Sequence, residues 1–174
     1  DQQRGASEFH GSDGLLKVQD LRFHNPLSEV FHEAAGQAGY AAVDDFNGSR
    51  QRGFGFYQVN QDRGRRCSAA SAFLGPVRKR KNLVVLTHAL AEKVITDQQR
   101  ATGIQAVVQG KRRKFHAGEI LLCGGAINSP QLLMLSGIGP ASHLYENGIT
   151  TRVDLPGVGQ NLQDHLDICT LIET

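Results

Sequence analysis

A mixed α/β fold with α+β character is predicted by three features of the sequence. The apolar run Ile120-Leu121-Leu122-Cys123 leads into Gly124-Gly125 and then into an apolar helical stretch, the succession strand, glycine turn, helix. Lys93–Thr96, Gly103–Val108 and Arg112–His116 are strand-length segments separated by turn residues, which predicts a small antiparallel meander. Twenty glycines among 174 residues favour tight turns and close backbone approach over long helices.

In chain order, residues 1–25 read as an irregular entry in which Leu15-Leu16-Lys17-Val18 is the strand-like segment. From Pro26 the apolar positions Leu27, Val30, Phe31, Ala34, Ala35 and Ala38 recur at helical spacing, with Asn25 as the N-cap and Gly39 as the stop, so an amphipathic helix is predicted. Asp44-Asp45-Phe46-Asn47-Gly48-Ser49 has turn chemistry, and the aromatic, β-branched run Phe54–Val59 predicts a strand. Ser68–Leu74 predicts a short helix closed by Gly75-Pro76, and Leu83–Thr87 a second buried strand.

Gly110, taken as the first central residue of its turn, suits a type II′ hairpin within the meander. The strand at 120–123 is apolar without alternation, as expected of a strand buried on both faces. Ser129-Pro130 reads as an N-cap with proline at the first helical position, and Gly137 as the stop after Leu132-Leu133-Met134-Leu135. Pro140 opens a short helix through Leu144 and Tyr145 that Gly148 closes, Ile149–Val153 is a further strand candidate, and Pro156-Gly157-Val158-Gly159 is a loop. Another strand is expected from Leu166 to Ile172.

Composition excludes several classes. The formal charge of +2 is too small for a nucleic-acid footprint, and the basic runs Arg78–Lys81 and Lys111–Lys114 have only Phe115 as an adjacent aromatic, so they read as solvated loop ends. Cys67, Cys123 and Cys169 lack Cys-x-x-Cys spacing and read as reduced, buried thiols. No stretch is long and apolar enough to span a bilayer, and a cytoplasmic location is expected, with peripheral membrane association left open. Asn47-Gly48-Ser49 reads as a turn rather than a glycosylation site, and the start at Asp1 without methionine leads us to expect the true N-terminus elsewhere. Asp44 and Asp45 read as solvated turn acids with no histidine near them in sequence. Ser129 lacks a Gly-x-Ser-x-Gly setting, and no His, Cys or carboxylate pair has metal-ligand spacing.

A dinucleotide fingerprint Gly-x-Gly-x-x-Gly is not found: Gly53-x-Gly55, Gly137-x-Gly139 and Gly157-x-Gly159 have Gln58, Ser142 and Leu162 where the third glycine would stand. Two longer patterns are more informative. Gly125-Ala126-Ile127-Asn128-Ser129-Pro130 through Ser136-Gly137-Ile138-Gly139 resembles the second signature of the glucose-methanol-choline (GMC) family of flavin oxidoreductases. Asp154-Leu155-Pro156-Gly157-Val158-Gly159-Gln160-Asn161-Leu162-Gln163-Asp164-His165 resembles the loop that follows it, and Gly64–Ala70 and Arg80–Thr87 resemble the family's middle section.

The resemblance implies a middle section of an FAD-dependent alcohol oxidoreductase, closer to choline and aliphatic alcohol dehydrogenases than to sugar oxidases. It implies part of a Rossmann-like FAD-binding domain with its meander over 76–165. Around this it implies part of the substrate domain's antiparallel sheet over 1–75 and the start of a further substrate-domain strand over 166–174. The pyrophosphate loop and the histidine base of the family would lie outside the chain, so no catalytic residue is assigned and the 174 residues alone are expected to be inactive and prone to self-association. An alcohol substrate and an electron acceptor not identified by the residues are the implied partners. Gly124 and Gly125 are the candidates for contact with the adenosine half of FAD, packing being the equal alternative; Ala91 matches the family segment whose backbone meets the adenine. Asn161 and Asp164, with His165, are assigned to ordering a loop near the cofactor, a purely structural role being the alternative. The other reading of the whole chain is a non-catalytic folded fragment or interaction module.

Overall fold

The computed structural model describes residues 1–171, and the chain falls into two compact units, Asp1–Val85 and Leu86–Thr174. Both helices and strands are present, as the predicted fold class requires, and residues 76–85 belong to the first unit.

In the first unit, helix α1 (Pro26–Gln37) starts where predicted: the Asn25 side-chain oxygen accepts from the Leu27 N–H at 2.9 Å, and proline occupies the first turn. Its orientation differs from expectation. Leu27, Val30 and Phe31 point to solvent, with Phe31 61% exposed, while His32 and Ala35 are half-buried. The inward anchor is aromatic: Phe56 lies 3.8 Å from the His24 ring and 4.1 Å from the His32 ring, both nearly parallel to it. Two imidazoles cannot share one face at such separations without overlapping, so Phe56 is sandwiched between them.

The strand predicted at 54–59 is not formed; single bridges join Phe54 to Ala42 and Val59 to Gln19, and Gln2 to Val18. A two-stranded ladder, β1 (Gln61–Asp62) with β2 (Arg65–Arg66), is the regular sheet of this unit. Ala70–Leu74 is a π-helical turn that continues directly into α2 (Gly75–Val77), so Gly75-Pro76 does not close the helix. Proline in a first turn has no N–H that the helix needs, which is why the chain passes through it.

The second unit is built on the predicted meander, β3 (Ala89–Asp97), β4 (Arg100–Val108) and β5 (Lys111–His116), antiparallel in that order. Gln109 and Gly110 both have positive φ, 50° and 76°, so the β4–β5 connection is a type I′ turn with Gly110 second, not the expected type II′. The basic run Lys111–Lys114 therefore lies on an exposed strand rather than at a loop end. Helix α3 (Gly125–Leu135) begins five residues earlier than predicted and contains Pro130. Then come β6 (Ile138–Gly139), α4 (Ala141–Glu146) and β7 (Val153–Asp154), the last pairing in parallel with β6. The strand expected over 149–153 is thus reduced to its end.

Three predicted strands are missing for one reason. Residues 83–87, 120–123 and 166–171 have no regular structure, and Leu121 is 76% exposed. A strand exists only within a ladder, and no described segment runs beside them to take their backbone hydrogen bonds. Ile172 lies outside the described residues. Cys67 is buried as expected, but Cys123 and Cys169 are exposed, because both sit in these unpaired segments. The core is correspondingly small: Val43, Cys67 and Ala72 in the first unit, and Val94, Ala106, Val108, Leu144 and Val158 in the second. The chain of 18.9 kDa exposes 14189 Å², whereas even two separate globules of half that mass would together expose about 10,000 Å².

Candidate functional site

The largest group of sequence-selected residues meets in the second unit, where α3 packs beside β3. The helix entry is made by two glycines with different tasks. Gly125 has φ +83°, a left-handed conformation that glycine adopts without strain, and a Cβ there would meet nothing within 4 Å. Gly124 donates its N–H to Ser129 Oγ at 3.0 Å, and a Cβ on it would press to 3.1 Å from Asn128 Cβ. Ser129 therefore caps the glycine turn from inside the helix rather than serving as the N-cap of a helix starting at Pro130. At the other end Gly137, with φ +84°, donates to Met134 O at 2.9 Å and passes under Thr150, whose carbonyl would lie 2.5 Å from an added Cβ.

Between these elements lies a cavity of about 550 Å³, within the range of small-molecule sites. Its walls are Leu90 and Ala91 of β3, Leu121 and Leu122, and Leu132 and Leu135 of α3, with Gly124 at one end. Polar groups enter from Asn128, Ser129 and Gln131. The register of β3 against β4 slips between Ala91 and Lys93, a bulge at the cavity wall that alters the aim of the local backbone. An apolar slot with a few amides and a hydroxyl suits a flat, neutral ring system held by van der Waals contact and single hydrogen bonds.

The structure brings Ala91 and Gly124 to this cavity and separates the remaining candidates. Gly125 shapes the helix entry without lining the walls. Asn161, with φ +55°, borders a second hollow of about 430 Å³ beside Ile127, Pro130 and Met134. Asp164 and His165 are fully exposed, and the Asp164 carboxylate meets only its neighbour, accepting from the His165 N–H at 2.7 Å. His165 Nδ1 stays 3.9 Å from that carboxylate.

No histidine, carboxylate or amine lines the 550 Å³ cavity, and the Cys123 thiol is the acidic side chain at its wall. The charged groups lie elsewhere. On the meander, Arg112 grips Glu92 with two hydrogen bonds, 2.7 and 3.0 Å, and the guanidinium holds the Glu92 carboxyl below its ordinary range. In the first unit, His10 Nε2 stands 2.5 Å from Asp45 Oδ2, and that hydrogen bond, aided by the Asn47 N–H, lowers the Asp45 pKa. This pairing was not legible in the sequence: Asp45 lacks a histidine neighbour along the chain, and the fold supplies one from 35 positions away. Arg4 and Gln58 likewise converge on Asp20, whose pKa falls chiefly through the Arg4 hydrogen bond. Among the described residues no group of three or more metal-ligating side chains occurs, and no helix is long and apolar enough to cross a membrane.

The chain is 48% identical over 165 residues to an alcohol dehydrogenase [acceptor] from Pseudomonas putida, covering 93% of this chain and 30% of the relative. It is 47% identical over 165 residues to mitochondrial choline dehydrogenase from Homo sapiens, covering 94% and 28%. The fold superimposes on pyridoxine 4-oxidase from Mesorbium loti with a TM-score of 0.84 at 32% identity, over 90% of this chain and 31% of that one. An FAD-dependent oxidoreductase from Chaetomium thermophilum matches with a TM-score of 0.83 at 30% identity, over 92% and 28%. The chain thus spans about 30% of the length of the curated relatives it matches. A family profile described as GMC oxidoreductase matches residues 2–167, and the chain belongs to that family.

Proposed function

We propose that the chain is a section of a flavin-dependent alcohol oxidoreductase of the choline or aliphatic primary alcohol type, and that its part in the reaction is to hold the adenosine half of FAD. The observation that carries this reading is the meeting of Ala91 and Gly124 at one apolar cavity. Leu90, Leu132 and Leu135 would flank a flat ring, and Asn128 and Gln131 offer amide donors and acceptors at its edge. FAD, when bound, supplies the hydride-accepting isoalloxazine. The residues of this cavity orient and exclude water, and no histidine, carboxylate or amine is among them to take the alcohol's proton. Asn161 and Asp164 are read as ordering the loop after β7, supported for Asn161 by its place in the hollow beside α3.

We assign residues 1–75 to a substrate-domain section and 76–165 to the FAD-binding section, with 166–174 returning to the substrate domain. A cytoplasmic setting is supported by free thiols at Cys67, Cys123 and Cys169. The partners of the whole enzyme are an alcohol and an electron acceptor. A second reading, a folded section without chemistry of its own, is favoured by the lack of a histidine, carboxylate or amine in the cavity.

The test uses a polypeptide of full family length containing this chain. Ala91→Phe, which fills the slot, should lower FAD occupancy at least tenfold while leaving the circular dichroism spectrum intact, and full occupancy would reject the cavity as the adenosine site. Anaerobic addition of choline or a primary alcohol to the unmodified protein should bleach the flavin absorbance; bleaching by neither would reject the substrate class.

A further inference from the structure

We infer that Ser136 is a positioning residue for this cofactor site, setting the spacing of the two cavity walls through one buried hydroxyl. The inference rests on the adenosine reading above and adds to it a residue that lines no part of the cavity.

Ser136 is 1% exposed, the most deeply buried polar side chain described in the second unit. Its Oγ accepts the Val94 N–H at 2.8 Å and donates to the Leu132 carbonyl at 2.5 Å. The first bond reaches β3 and the second stays in α3, so a single oxygen joins the two elements that face each other across the cavity. Val94 lies three residues beyond Ala91, about 10 Å along the strand. Leu132, itself a wall residue, lies one turn before Ser136. The hydroxyl thus ties α3 to β3, the two elements that supply Leu132 and Ala91 to the cavity walls.

The need for a polar tie follows from the surroundings. β3 is the edge of its sheet, and the Val94 N–H points away from β4, to a site where the residue is only 6% exposed. Without Ser136 that donor would be buried and unpaired. Among the described residues no other hydrogen bond joins α3 to β3, and van der Waals contacts tolerate sliding, whereas a hydrogen bond of 2.8 Å has a direction and a length. The bulge between Ala91 and Lys93 makes this more acute, because the ladder to β4 is interrupted where the wall needs to be held. Ser136 supplies from the helix the constraint that the sheet lacks there.

The test compares three variants of the full-family-length flavoprotein: Ser136→Ala, Leu144→Val and Ala91→Phe. Leu144 is 0% exposed and lines no wall of the cavity, so its truncation destabilises the same unit without touching the site. Each variant is stripped of flavin and reloaded, FAD affinity is measured by fluorescence quenching, and ADP is used as a competitor for the adenosine subsite. Ser136→Ala should weaken FAD binding about tenfold, the scale of one lost hydrogen bond with a buried donor left over, and weaken ADP competition equally. Leu144→Val should change neither by more than twofold at a comparable loss in Tm. Equal losses of affinity in Ser136→Ala and Leu144→Val would reduce Ser136 to a generic stabilising residue and overturn the inference. Unchanged affinity in Ser136→Ala, with a loss in Ala91→Phe, would overturn it while leaving the adenosine site standing. Full affinity in Ala91→Phe would remove the site and the inference together.

Discussion

The first unit is tied together by side chains and the second by backbone. Residues 1–85 have one two-residue ladder and three isolated bridges, and their distant segments are joined by His10–Asp45, Arg4–Asp20, the amides of Gln2 and Gln58, and the stack of His24, Phe56 and His32. Residues 86–171 are organised by the continuous β3–β4–β5 ladder, and polar side chains are used sparingly, Ser136 above all. Ladders repeat the same bond and tolerate the loss of one, whereas a side-chain clamp is a single bond whose strength depends on charge state. The cavity that we propose for adenosine lies in the region with the ladder, with Leu90 and Ala91 of β3 in its wall.

The largest effect concerns the completeness of both regions. A polypeptide of these 174 residues alone should purify colourless, show no alcohol-dependent dye reduction with added FAD, and self-associate on gel filtration. The basis is apolar side chains such as Leu121 and Val84, each more than 70% exposed. A yellow, monomeric, dye-reducing preparation would show that the cavity and the two folded regions suffice.

Next in size, Leu144→Ala should cost about 2–5 kcal/mol in chemical denaturation, since the side chain is fully buried beneath Gly139. A cost below the lower figure would mean that the second unit relies on its ladder even more than its packing suggests. Gly125→Val should cost about 1–3 kcal/mol through the left-handed φ that a β-branched residue must adopt, and Gly125→Asn less. Equal costs would relocate the strain.

Acid sharpens the comparison further. Asp45 and Asp20 have pKa values lowered from 3.8 by folding, so their clamps contribute fully above that value and are lost as pH falls through the depressed folded values. Below about pH 4 the amides of residues 40–60 should therefore lose hydrogen-exchange protection before those of β4, and Asp45→Asn should abolish most of that difference in pH dependence. Simultaneous loss in both regions would erase the distinction. Glu92, lowered in the same way by Arg112, is half-buried on a strand where the backbone ladder remains. The smallest effect is expected from charge reversal at Arg78, Lys79 and Arg80, exposed in a turn, which should leave alcohol turnover of the full-length protein unchanged; a salt-dependent loss would identify the run as a docking element.

Local chemistry was legible where it closes over a few residues. Asn25-Pro26 starts α1, Gly137 and Gly148 end α3 and α4, and the meander lies where three strand-like segments alternate with turns. The pairing of Ala91 with Gly124 was reachable only through the family resemblance, because 33 positions separate them and no periodicity joins them. Ser129 misled: Ser-Pro has the composition of a helix start, yet the positive φ of Gly125 lets the helix begin five residues sooner. The helix α1 misled differently, since its apolar stripe is real but the fold turns His32 inward to stack on Phe56.

The sequence by itself determined the Asn25 cap, the stops at Gly137 and Gly148, the meander and the family, because each depends on residues close in the chain or on a pattern long enough to be specific. Tertiary structure alone decided which apolar runs become strands, which face of α1 meets the fold, that His10 finds Asp45, and that Ser136 bridges α3 to β3. The physical reason is that a strand or a buried polar group is completed by a partner. Hydrogen-bond valence can be read from the residue, but the identity of the atom that fills it depends on which segments the fold places side by side.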